Sequence, residues 1–394
     1  MRQTDKFGSI FGMFNLQTIK RSLALVLIMC LLLAAAPAQA ANRIYFTSQP
    51  DEILIFLNNV AFVKDRITIP SGVDVAVTLP SQIFVDTLVL REGGERVNQY
   101  RIQTTGGNPV VLWKSVAAAG ELREVTLDYL MSGISWQPKY AMWLTKDRPD
   151  SAVLDFYAEI SNPVLNLESV TITLAAGRVD TSKPIGTQSN VSMNQYIAGY
   201  ESSSAGQLMV GAVDVQTIYS IGKLDALVGE TVYTRLEGAA LPARRVLLWN
   251  AQGDGQVTII YKVRNETRLP LAEGIVRTYE DGIFLGSDPI EFTPVNGEGS
   301  ITVGALQGMR VNRNTTQTTL SGWTDRRRTH VELTLSNFNA DTVALEIVDT
   351  YPASAMHFSF SQEAEQQIGN LLRWRVTLQA GESLTITYQY DHNY

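Results

Sequence analysis

Cysteine is all but missing from this chain: of 394 residues only Cys30 is one, and it lies inside an apolar run near the start. If that run is cleaved off no thiol remains, which excludes disulfide staples, thiol catalysis and cysteine metal sites. Histidine is scarce too. His330, His357 and His392 are the three in the sequence, none at ligand spacing from another, so a zinc site would need carboxylates brought in by folding. There is no G-x-S-x-G elbow, H-E-x-x-H, P-loop or G-x-G-x-x-G. No catalytic, metal-ligating or cofactor-binding residue is therefore assigned, and no cofactor is expected. Long helical periodicity is missing after the leader, apart from a short turn near Gln362 to Ile368, which argues against βαβ units and the crevices they build.

What is present begins with a leader. Lys20 and Arg21 precede an apolar run from Leu23 to Ala36 that closes on Pro37-Ala38-Gln39-Ala40. Basic residues, a short apolar stretch and a small-residue cleavage site read as a secretory signal peptide over 1–40. An uncleaved anchor is the competing reading, but a span needs roughly 20 apolar residues and this run is shorter. Removing four basic residues and one acidic residue with the leader takes the formal charge from −7 to about −10. Nucleic acid and acidic lipid are disfavoured partners for such a chain, so membrane association is expected only through the leader.

The mature sequence alternates with period two. Val73, Val75, Val77 and Leu79 share one face; so do Val331, Leu333 and Leu335, and Leu372, Trp374, Val376 and Leu378. Asp254-Gly255, Asp281-Gly282 and Asn296-Gly297 sit between such runs and predict hairpins. Three times a strand runs into an asparagine and then a polar corner, at Asn162, Asn265 and Asn337, where asparagine serves as a turn-former. The expected fold is all-β, with tandem immunoglobulin-like β-sandwich domains after the signal peptide. The expected boundaries are a β domain at 41–115, a central sandwich at 116–320 and a C-terminal sandwich at 321–394. Between about 179 and 230, runs such as Glu201-Ser202-Ser203-Ser204 predict a long mobile insertion. Its more apolar second part, Leu208 to Leu227, could instead dock onto the body, onto a partner or onto another copy of itself.

Two features invite a chemical reading. Trp136, Pro138 and Tyr140 alternate on one strand and face one side, where they either fill a core or stack on a sugar; core packing is the commoner use. Pro138 places that strand at an edge, a bulge or its own end. Arg326, Arg327 and Arg328 form a basic cluster in an acidic chain, an interaction surface for an anionic partner unless they are solvated linker residues paired with surplus carboxylates. Glu280, Asp281 and Asp288 could supply the two carboxylates of a glycoside hydrolase, but the first two are better read as turn residues.

The stretch from Val125 through Trp136-Gln-Pro-Lys-Tyr140, a W-x-P-x-Y strand, resembles the mucoidy-inhibitor-like family, bacterial proteins built on a conserved domain of unknown function. Leu241 to Leu248, Tyr279 to Gly286, Gly304 to Val311 and Asp349-Thr-Tyr-Pro352 agree with the family in order, and Ile53 to Leu90 is similar to its N-terminal domain. Many members carry a coiled coil before the W-x-P-x-Y strand, where this chain has only Gln103 to Leu122. The resemblance implies a β-rich, envelope-associated protein and transfers no catalytic residue. The function expected is thus a non-enzymatic binding or assembly module, exported to the periplasm or cell surface, with an envelope protein, a glycan or a second copy as partner. Hydrolysis or modification of an envelope polysaccharide is the alternative. A cleft with converging carboxylates would mark the enzyme, and a sheet edge or flat aromatic patch the module.

Overall fold

A computed structural model describes residues 43–115, 121–178, 210–213, 216–320 and 326–393. The segment read as a signal peptide and the serine-rich part of the segment read as an insertion lie outside them. Among the described residues no α-helix occurs; a single 3-10 turn, Val85–Thr87, interrupts the strands. No helix there is long and apolar enough to cross a membrane. The fold is an all-β sandwich, as the period-two pattern implies.

The described chain divides into two compact units. The first, drawn from 43–48, 68–79 and 92–125, holds a four-stranded sheet in the order Arg43–Thr47, Asp74–Thr78, Asn108–Lys114, Arg101–Thr105. Val75, Val77, Val111 and Trp113 are buried on one face of it.

The second unit, 49–67, 80–91 and 126–394, contains two successive sandwiches. Their common element is Glu230–Asn250, a strand of 21 residues. Its first half pairs antiparallel with Ser151–Asn162; its second half pairs with Val257–Arg264 and, parallel, with Val343–Thr350. In the first sandwich the strands Ser135–Leu144 and Ser151–Asn162 face a sheet that contains Pro50–Phe56, Leu167–Ala176 and Gln216–Ala226. That last strand comes from the apolar half of the insertion, which is ladder rather than loop: it pairs with Leu167–Ala176 and buries Tyr219 fully. In the second sandwich, Val343–Thr350 and Leu371–Leu378 pack Ile347 and Trp374 against Val331, Leu333, Ile386 and Tyr388 of the opposing sheet.

The three asparagine corners are one device used three times. Asn162, Asn265 and Asn337 each end or follow a strand with no exposed surface. Asn265 Nδ2 donates to the carbonyls of Leu269 (2.9 Å), Thr293 (3.2 Å) and Pro294 (3.2 Å), while its Oδ1 accepts from Thr267 N and Oγ1 at 3.1 and 2.7 Å. Asn337 repeats this with Asp341, Leu378 and Gln379 as acceptors and Asn339 N as donor; Asn162 does so with Leu165 and Ala226. Buried carbonyls at a strand end need donors, and the two N–H groups of one carboxamide are shared among two or three of them.

Two of the three predicted hairpins form. Asp281-Gly282, with both residues at positive φ, joins Gly274–Glu280 to Ile283–Ile290, and Gly255 lies in the link between Glu230–Asn250 and Val257–Arg264. Asn296-Gly297 turns the chain, but the strand it leads into pairs with Val257–Arg264 rather than with the strand before it. The helical turn read near Gln362 to Ile368 is a short strand, Glu365–Gln367.

Candidate functional site

Strand Ser135–Leu144 has two faces of different use. Inward, Trp136, Pro138 and Tyr140 are buried. The Trp136 indole donates to Ala175 O at 2.9 Å and the Tyr140 hydroxyl to Ala272 O at 2.7 Å. Tyr140 stacks on Phe156 at 4.6 Å, and Tyr219 meets both Phe156 and Trp136 edge-on. Burial pushes the Tyr140 and Tyr219 phenols well above their ordinary range. The W-x-P-x-Y motif is therefore core, and no sugar reaches it. Pro138 stands one residue before the parallel ladder with Gly274–Glu280 begins at Lys139, so its missing N–H costs that ladder nothing. Gly274 belongs to the same packing: a Cβ there would fall 2.8 Å from Pro138 O and Cβ.

Outward, the same strand carries Gln137, Lys139, Ala141 and Trp143. Trp143 pairs in register with Tyr279 on one side and Val153 on the other, and Tyr279 pairs with Phe284. The result is one apolar row across four adjacent strands, in which Trp143, Val153 and Phe284 are 40%, 42% and 54% exposed. The Trp143 and Tyr279 rings are stacked at 4.4 Å and 18°, with Phe284 5.5 Å beyond and tilted by 58°. Rings stacked along the strand-to-strand direction stand on the sheet and turn their edges to solvent. Asp155, in the next outward position along its strand, accepts the Trp143 indole N–H at 3.0 Å and pairs with Arg235. Gly238 makes that pairing sterically available, since a Cβ there would sit 1.7 Å from the Arg235 guanidinium. The indole is thus held by a ring on one side and a carboxylate beside it.

The row is not part of the W-x-P-x-Y motif, whose residues Trp136, Pro138 and Tyr140 share the inward phase. Trp143 lies three residues past Tyr140, in the opposite phase; alternation alone puts it on the outer face.

The arginine cluster is not a linker. Arg326, Arg327 and Arg328 begin strand Arg326–Asn337, in register with Asn393, His392 and Asp391. Alternation turns Arg327 to the face of Val331 and Leu333, and Arg326 and Arg328 to the other. Arg328 holds Asp391 through two hydrogen bonds, 2.8 and 3.2 Å, which lower the carboxyl below its usual range; His357 adds to this at 3.5 Å. Arg313, in strand Met309–Thr319, donates to the fully buried Asp349 at 2.8 Å, which also accepts from Tyr388 (2.7 Å) and Gln252 (2.6 Å). This network ties the two sheets of the second sandwich. Glu280 and Asp281 flank a hairpin as turn chemistry requires, and Asp288 accepts from Thr302 N at 2.7 Å. Among the described residues no cluster of three histidine, cysteine or acidic side chains has metal-site geometry.

Residues 125–394 match the model of a family described as a domain of unknown function, DUF4139. No curated protein matches the chain.

Proposed function

We propose, from the premise that the chain belongs to the DUF4139 family, that this protein is a non-enzymatic binding module of the cell envelope whose partner is another protein. The observation that carries the reading is the outward row Phe284–Tyr279–Trp143–Val153. Contiguous exposed apolar surface marks interaction sites on soluble proteins, and tryptophan and tyrosine within a charged rim are the composition of an interface centre. Lys139, Glu159, Asp155, Arg235 and Arg277 supply that rim. The stacking geometry favours protein over glycan: a sugar ring lies flat on an aromatic face, and here Tyr279 covers a face of Trp143. A location outside the cytoplasm is supported by the leader pattern over 1–40, and a relation to mucoidy-inhibitor-like proteins by the order of motifs from Trp136 to Pro352.

The test is capture from envelope extract by the protein comprising residues 41–394 beside two variants, Phe284→Glu and Trp143→Ala. Phe284 is the outermost ring and more than half exposed, so a charge there leaves the core untouched. A defined protein retained by the parent and lost from both variants, at equal thermal midpoints, is the expected result. Equal capture by all three would remove the row from the function, and capture of polysaccharide alone would overturn the choice of partner.

A further inference from the structure

The first unit holds a cleft that the aromatic row does not involve. It has a volume of about 790 Å³ and lies along the four-stranded sheet, lined by Val75 and Trp113 as well as by Arg43, Asp74, Arg101 and Lys114, within the size range of small-molecule sites. Register builds its floor. Arg43, Asp74 and Lys114 are direct neighbours on three adjacent strands, and Arg101 stands opposite Leu112 on the fourth. Alternation sends all four side chains to the same face. The segment Val97–Tyr100 completes the wall with Asn98 and Gln99, both exposed.

The chemistry of the lining selects a ligand class. Three cations and one carboxylate line the cleft of a chain whose net charge is −7. Glu92, outside the lining, is engaged by Trp113 Nε1 at 3.2 Å and Ser115 Oγ at 2.5 Å. Asp74 lies 3.9 Å from Arg43 and stays partly exposed, so it is not consumed by that pair. A site for a bare anion gains nothing from a carboxylate in its floor, because like charges in contact oppose binding. A ligand that carries both a negative group and hydroxyl donors uses every part: Arg43, Arg101 and Lys114 hold the anionic group, Asp74 accepts from hydroxyls, and the Asn98 and Gln99 carboxamides donate and accept. We propose that this cleft binds an anionic sugar, a saccharide bearing a carboxylate or a phosphate. The proposal is independent of the protein partner assigned to the aromatic row.

Calorimetric titration of the exported protein with four probes tests it: glucuronate, glucose 6-phosphate, glucose and inorganic phosphate. At least one of the two anionic sugars is expected to bind tenfold or more tightly than both glucose and phosphate, and which one does so identifies the anionic group. Arg101→Glu combined with Lys114→Glu should abolish the difference, and Asp74→Asn should bring the favoured sugar toward the affinity of its charge alone. Arg101→Gln, a milder change, serves if the double reversal lowers the thermal midpoint. Heat from none of the probes at millimolar concentration would overturn the proposal. So would phosphate binding as tightly as glucose 6-phosphate with glucuronate inert, or binding unchanged in the arginine and lysine variants.

Discussion

Replacing Asn265 by aspartate tests whether the asparagine corners hold the sandwiches together, because the substitution keeps shape and one acceptor while reversing the role of the other atom. In the parent, Nδ2 donates to three buried carbonyls at 2.9, 3.2 and 3.2 Å. The two Nδ2 hydrogens serve these carbonyls and Oδ1 accepts twice from Thr267; at about 1 kcal/mol net per bond, loss of the carboxamide costs roughly 3–4 kcal/mol, the value expected for Asn265→Ala at any pH. In Asn265→Asp the protonated acid still donates to one carbonyl, and the cost falls to about 2 kcal/mol. Once ionised, the carboxylate faces three carbonyl oxygens without water, so its pKa in the fold rises above the unfolded value near 4. A raised folded pKa leaves stability unaffected below the unfolded value and removes it as pH climbs toward the folded one. Each unit of that rise adds about 1.4 kcal/mol; a rise of about two units makes the aspartate variant roughly 5 kcal/mol less stable than the parent at pH 7 and about 2 kcal/mol less at pH 4. Urea unfolding followed by tryptophan fluorescence at the two pH values, each variant against the parent, reads the difference directly. A flat alanine penalty beside a sloping aspartate penalty is the expected pattern. An aspartate penalty below about 1 kcal/mol and equal at both pH values would refute the account of the corner.

Removing Asp349 leaves the Arg313 guanidinium, only 18% exposed, without its carboxylate, and is expected to destabilise by about 3–5 kcal/mol, whereas replacing both residues by leucine recovers much of that loss; a double-mutant cycle in urea measures the coupling. The phenols of Tyr140, Tyr219 and Tyr388 are all raised, first by burial and for Tyr388 also by Asp349. Because they stay neutral in the fold, their contribution is intact below the ordinary tyrosine value near 10 and is lost as pH rises beyond it, so the thermal midpoint should fall steeply between pH 9.5 and 11.5 and less steeply in Tyr388→Phe. Gly274→Ala drives a methyl against Pro138 O at 2.8 Å, and overpacking against backbone costs about 1–3 kcal/mol; a thermal midpoint equal to the parent's would show that the strand shifts freely.

Period-two alternation carried most of the fold class, because each strand is half-buried and its inward residues recur without exception at Val331, Leu333 and Leu335 or at Trp136, Pro138 and Tyr140. The echo at Asn162, Asn265 and Asn337 was legible as a repeated corner, though not as a buried three-carbonyl clamp, since the acceptors at Thr293 and Leu378 are 28 and 41 residues away. Parallel pairings were invisible for the same reason. Tyr140 finds Val276, and Ile172 finds Ile53, through crossings that no local pattern encodes. Gln216–Ala226 was masked by the polar composition just before it, yet the ladder with Leu167–Ala176 and the burial of Tyr219 make it a strand. The three consecutive arginines begin a strand, so alternation sends Arg327 to one face and Arg326 and Arg328 to the other, a division that a run of cations does not show by itself.

The two faces of Ser135–Leu144 differ in what the fold requires of them. Inward, every polar atom the aromatic residues carry is spent, Trp136 on Ala175 and Tyr140 on Ala272, so that face has nothing left to offer a ligand. Outward, the ladder needs only residues of good β-propensity, and threonine at 153, 279 or 284 would satisfy it without exposing apolar surface. An aromatic row in solvent raises the hazard of non-specific association for a free protein. Its ordering argues further: the Trp143 ring is fixed by Tyr279 on one face and by the hydrogen bond to Asp155, so little side-chain entropy remains to be lost when a partner covers it, and the cost of binding is correspondingly small. A fixed apolar row that the fold does not require, bounded by paired charges, has the properties of a surface made to be covered.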